Sequence, residues 1–117
     1  MLKGGIQMKD RMILINNSSW NIHFIPRLDM LHKLEEAGCK DEEGQYTQGF
    51  TVISKQTIYI DETVADPKRI LIHELAHAWL YAFGHHQENK QFDHEDVCEI
   101  VSSIHHFIDH VLEEVEE

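Results

Sequence analysis

The chain has 117 residues, with ten Lys and Arg against twenty-one Asp and Glu and a formal net charge of −11 at pH 7. That length supports one hydrophobic core and one domain, 1–117, and the acidity argues against a nucleic-acid-binding surface. Cys39 and Cys98 lie far apart without C-x-x-C spacing, and no apolar run reaches the ~18 residues of a membrane span, so neither a disulfide framework, a cysteine zinc site nor a membrane protein is expected.

A reduced, cytoplasmic setting is the expectation, because the N-terminus lacks the apolar stretch of a signal peptide. Residues 1–10 are expected to be flexible. The acidic clusters at 35–43 and 113–117 read as solvated faces or a frayed end.

In chain order, residues 12–15 form a short apolar run. Residues 20–25 read as a strand that stops at Pro26, with Trp20, Ile22 and Phe24 on one face. Leu28, Leu31, His32 and Leu34 recur at helical spacing, which predicts a short helix over 28–37 with Gly38 as its stop. A loop over 40–45 leads to two strands, 48–54 and 56–61, rich in β-branched and aromatic residues and joined near Ser54-Lys55.

Asp66-Pro67 is a helix start, with Asp as N-cap and Pro at the first helical position, and Gly84 is the stop of a helix over 67–83. That helix is apolar nearly all round and is expected to be buried. The last helix starts at Asp93, with Asp96 as its capping-box partner and Phe92 packing on Val97, and it runs to about residue 114. Its apolar stripe is Val97, Ile100, Val101, Ile104, Ile108, Val111 and Leu112. The order predicts an α+β domain with helices on one side of a small, mostly antiparallel sheet.

The chemistry concentrates at His73-Glu74-Leu75-Ala76-His77. His-Glu-x-x-His on a helix puts two imidazoles one turn apart on one face, with a carboxylate beside them. Ten histidines raise the chance of an accidental match to roughly 0.1 for a chain of this composition, but the clear helix start and stop favour a real site. Zn²⁺ takes such nitrogens at ~2.0–2.1 Å, and a catalytic site leaves one position for water. Glu74 then has the role of general base to that water.

A third ligand is needed, and the pattern H-E-x-x-H-x-x-G-x-x-H fails, with Leu80 and Phe83 at the required Gly and His. The candidates are His85, His86, Glu88, Asp93, His94, Glu95, Asp96 and Glu99. Glu95 is favoured: it lies eighteen residues beyond His77, on the first turn of a helix expected to pack near the motif helix. Glu99, one turn on, would fix the tautomer of a ligating His.

His73-Glu74-Leu75-Ala76-His77 followed by Glu95-Asp96-Val97-Cys98-Glu99 resembles the gluzincin arrangement, in which a Glu on the next helix completes the metal set. The short chain and early motif resemble small zincins of phages and mobile elements related to the ImmA/IrrE metallopeptidases. That resemblance implies a minimal zincin-like fold, a Zn²⁺ cofactor and cleavage of a protein such as a phage-type repressor. Alignment with the ImmA pattern E-A-N-x-F-A would put Asp96 in the ligand column, and the SprT-like group would favour His94.

His105, His106, Asp109 and His110 read as a solvated patch, and Tyr46, Tyr59, Tyr81 and His23 are the candidates to stabilise an oxyanion. The alternative function is a non-catalytic binding module whose metal is structural and closed by four protein ligands.

Overall fold

The computed structural model describes residues 8–36, 48–84 and 93–116. Two strands, β1 (Arg11–Ile15) and β2 (Ser18–Ile25), form a hairpin; helix α1 (Arg27–Glu36) follows, then strands β3 (Gly49–Val52) and β4 (Thr57–Asp61). Helices α2 (Pro67–Ala82) and α3 (His94–Val115) complete the chain.

The sheet runs in the order β1-β2-β4-β3, antiparallel at both outer pairings and parallel between β2 and β4. Asn16 and Asn17, at φ 50° and 65°, make the tight β1–β2 turn, since residues whose short polar side chains tolerate left-handed backbone suit a turn with two positive φ values. The expected strand over 48–54 is shorter: Ile53–Lys55 is a 3-10 turn, and Gln56 (φ 45°) redirects the chain into β4.

Alternation along the strands sorts the core into two layers. Ile13, Ile15, Trp20, Ile22, Phe24, Ile58 and Ile60 pack under Leu71, Leu75, Ala78 and Trp79 of α2 and Val111, Leu112 and Val115 of α3. On the other face Phe50 and Tyr59 pack against Met30 and Leu34 of α1. Helices therefore cover both faces, correcting the expectation of helices on one side; a ten-residue amphipathic helix gives no sign in its own sequence of which face it will cover.

Two expected features of the helices also change. Helix α2 is buried along one stripe only, so that Leu71, Glu74, Leu75, Ala78 and Trp79 are inside while His73 and His77 are exposed. In α3 the stripe is covered unevenly: Val97 and Val101 are 48% and 58% exposed, Ile100, Ile104 and Ile108 are partly buried against the core, and Val111, Leu112 and Val115 are buried. The segment 113–117, read as solvated or frayed, is helical to Val115, and residues 8–10 are tied to it. Met8 bridges to Glu116, and the Lys9 N–H donates to the Val115 carbonyl at 2.9 Å. Phe92 and the segments 37–47 and 85–92 lie outside the described residues.

Candidate metal centre

Helix α2 begins as its sequence requires. Asp66 accepts from the Arg69 N–H at 3.1 Å and Pro67 occupies the first turn, where a missing N–H costs nothing. It ends at Gly84, with φ 77°, whose N–H donates to the Tyr81 carbonyl at 3.0 Å. The side chain of Asn16 donates to the Ala82 carbonyl at 3.0 Å, satisfying one of the orphan acceptors of the helix end. Between these stops the i, i+4 spacing sets His73 and His77 on the solvent side, with Glu74 turned toward the sheet.

His73 Nε2 and His77 Nε2 are 3.1 Å apart. Two nitrogens bound at ~2.0–2.1 Å to one tetrahedral ion would lie about 3.3 Å apart, so the pair fits a shared cation with little movement. One ligand atom from each of His73, Glu74 and His77 falls within 4.8 Å of the others, and among the described residues no further His, Cys, Asp or Glu joins that group.

Glu74 is 7% exposed, and a carboxylate so enclosed needs a donor. Thr51 of β3 supplies it, its hydroxyl donating to Glu74 Oε1 at 2.8 Å. The sequence reading missed this residue. The available signal was strand alternation, which places Thr51 on the same face as Gly49. A Cβ at Gly49 would collide with Ile70 Cγ2 on α2, so the strand lies against this helix at close range. Gly49 is what lets it do so.

A cleft of about 590 Å³ opens between β3 and α2, bordered by Gly49, Phe50, Thr51 and Ile53 on one side and Glu74, His77 and Tyr81 on the other. Of the oxyanion candidates, Tyr81 lines this cleft, with its ring edge-on to Trp20 at 6.3 Å. His23 and Tyr59 lie on the opposite sheet face, stacked at 5.7 Å, with His23 Nδ1 3.0 Å from Asp10 Oδ2. Tyr46 is outside the described residues.

Of the third-ligand candidates, Asp93, His94, Glu95, Asp96 and Glu99 are exposed at the N-cap and first turns of α3. Asp93 and Asp96 cap that helix reciprocally, the Asp96 N–H donating to Asp93 Oδ1 at 2.8 Å and the Asp93 N–H to Asp96 Oδ2 at 3.2 Å. Their carboxylates thus have a local structural role. His94, Glu95 and Glu99 are exposed on the same turns and outside the His73–Glu74–His77 group. His85, His86 and Glu88 lie outside the described residues. On the C-terminal half of α3, His105 pairs with Asp109 at 3.3 Å and His110 with Glu114 at 3.0 Å, as exposed i, i+4 pairs.

No protein-family model, curated protein or solved structure matches the chain. Among the described residues no helix is long and apolar enough to cross a membrane.

Proposed function

We propose that the protein is a minimal zinc-dependent metallopeptidase of gluzincin-like plan, acting on a protein or peptide, with a phage-type regulatory protein as the expected substrate class. The observation that carries the reading is two convergent imidazoles, of which His77 lines the cleft, beside a buried carboxylate held by Thr51 of the outer strand. His73 and His77 would hold the metal, with Glu95 as the third ligand of first choice. When bound, Zn²⁺ supplies Lewis acidity, lowering the pKa of water toward ~7 and polarising a carbonyl.

Glu74 is the general base. It accepts a proton from the attacking water as the new C–O bond forms at the scissile carbonyl carbon. It then delivers that proton to the amide nitrogen as the C–N bond breaks. Thr51 leaves Oε1 hydrogen-bonded and so fixes which way the carboxylate faces. Tyr81, one turn beyond His77 on the same wall of the cleft, is the candidate to donate to the developing oxyanion.

The outer edge of β3, which pairs with no other strand among the described residues, gives the substrate backbone something to pair with. The Asp61 N–H donates to the Gln48 carbonyl at 2.9 Å, which makes Phe50 and Val52 the residues that bond to β4. Gly49 and Thr51 then present their N–H and C=O groups outward. Main-chain pairing of this kind supplies affinity without demanding one sequence. The structural-metal alternative needs four protein ligands, and no observation among the described residues favours it.

The test is zinc content and digestion of a mixed peptide library by wild type and Glu74→Gln. The expected result is one zinc per chain in both, with cleavage in the wild type alone. Stoichiometric zinc without Glu74-dependent cleavage would leave only the binding module.

A further inference from the structure

Strand β3 borders a cleft on each of its faces. Gly49 and Thr51 point toward α2, as the Ile70 approach and the Thr51–Glu74 bond show. Phe50 stacks on Tyr59 at 5.2 Å on the α1 side, and Val52 shares that side. There a second cleft, about 280 Å³, is lined by Lys33, Glu36, Val52, Ser54, Lys55 and Tyr59. We propose that this α1-face cleft is a side-chain subsite for an Asp or Glu of an extended peptide paired to the outer edge of β3.

The proposal rests on the peptidase reading of the opposite face for the presence of a peptide on that edge. Successive side chains of an added strand fall on opposite faces. A residue lying over Glu74 and His77 therefore has its immediate neighbours over the α1-face cleft.

The charge of that cleft selects among side chains. Two ammonium groups face one carboxylate there, in a chain that is otherwise strongly acidic. Lys33 Nζ sits 5.6 Å from the Tyr59 ring centre and 3.6 Å from Glu36 Oε2, so it is held in place with donor capacity left over. Lys55 makes no ion pair among the described residues. A substrate carboxylate between the two lysines, with the Ser54 hydroxyl as a further donor, meets opposite charge. A basic side chain meets its own sign.

The experiment uses the Glu74→Gln chain, which cannot turn its ligand over, and a randomised peptide library acetylated and amidated at its ends so that side chains are the only carboxylates. Captured peptides are sequenced. Asp and Glu should be enriched about three- to fivefold at one position, the scale of partly exposed charge pairs, and the enrichment should fade at about 0.5 M salt. Lys55→Met should reduce the enrichment, and the Lys33→Glu, Lys55→Glu double variant should shift it to Lys and Arg. No acidic enrichment, or one that survives the double charge reversal in a chain with wild-type circular dichroism, overturns the subsite.

Digestion of the same library by wild type separates the two readings. Acidic enrichment in capture with no Glu74-dependent cleavage ends the peptidase reading and keeps the subsite. Cleavage with no acidic preference does the reverse.

Discussion

Thr51 is the residue on which the candidate centre depends without being part of the motif. Its hydroxyl is the donor that the buried Glu74 carboxylate has among the described residues. Thr51→Val keeps the shape and removes the donor, so it should lower stability by about 1–2 kcal/mol, read as a shift of the urea midpoint at unchanged slope. It should also slow cleavage more than it weakens peptide binding, because the carboxylate loses its orientation and the edge strand keeps its backbone. An equal loss in both would mean that Thr51 serves only the strand. At the proposed third ligand, Glu95→Gln should weaken zinc binding by more than the roughly 10–100-fold typical of losing an outer partner. His94→Ala and Glu99→Gln, measured alongside by competition with a chelator, should cost less, and the reverse order would move the third ligand along α3.

At the level of elements, β3 and α2 meet where a glycine has been kept small. Gly49→Ala forces a methyl into Ile70, and overpacking of this kind costs about 1–3 kcal/mol. Because both changes act on one contact, Ile70→Ala should recover part of that loss, giving a non-additive cycle in thermal unfolding. Simple addition would place the strain elsewhere. The N-terminus of α3 depends on its reciprocal cap, and Asp93→Ala should cost about 1 kcal/mol, with faster amide exchange confined to the first turns. The ends of α2 and the start of α3 could be read from sequence, because Asp66-Pro67, Gly84 and the Asp93–Asp96 pair act locally. The parallel pairing of β2 with β4 could not, since it joins residues thirty-six apart, from Asn21 with Thr57 to Ile25 with Asp61, by contacts with no local signature. The exposed positions in the stripe of α3 escape the sequence for a related reason. Val97 and Val101 continue the helical period of Val111 and Val115, and periodicity does not say where the partner surface stops.

Across the whole molecule, an excess of eleven negative charges is brought together by folding. Glu113, Glu114 and Glu116 crowd the C-terminus of α3, where the helix dipole disfavours them. Arg11 Nε donates to the Glu114 carbonyl at 2.9 Å, and Lys68 Nζ lies 3.0 Å from Glu116 Oε1, offsetting part of that repulsion. Added sodium chloride should therefore raise the melting temperature, since it screens the net repulsion more than the few exposed pairs. A melting temperature that falls with salt would show that these pairs outweigh the excess charge. Deleting 113–117 removes the buried Val115 together with its bond to Lys9, and it should destabilise far more than an exposed tail would.

The outermost place of β3 gives the free protein a distinctive exchange pattern. If Phe50 and Val52 spend their amides on β4 while those of Gly49 and Thr51 face solvent, deuterium should enter the strand at every second residue. A bound peptide would fill in the gaps and leave the alternate sites as they were. The same strand carries the hydroxyl that steadies Glu74, so each excursion that lifts it away also releases the carboxylate. On the peptidase reading, occupancy of the edge and orientation of Glu74 would then rise together, and a poorly fitting peptide would be penalised in rate as well as in residence.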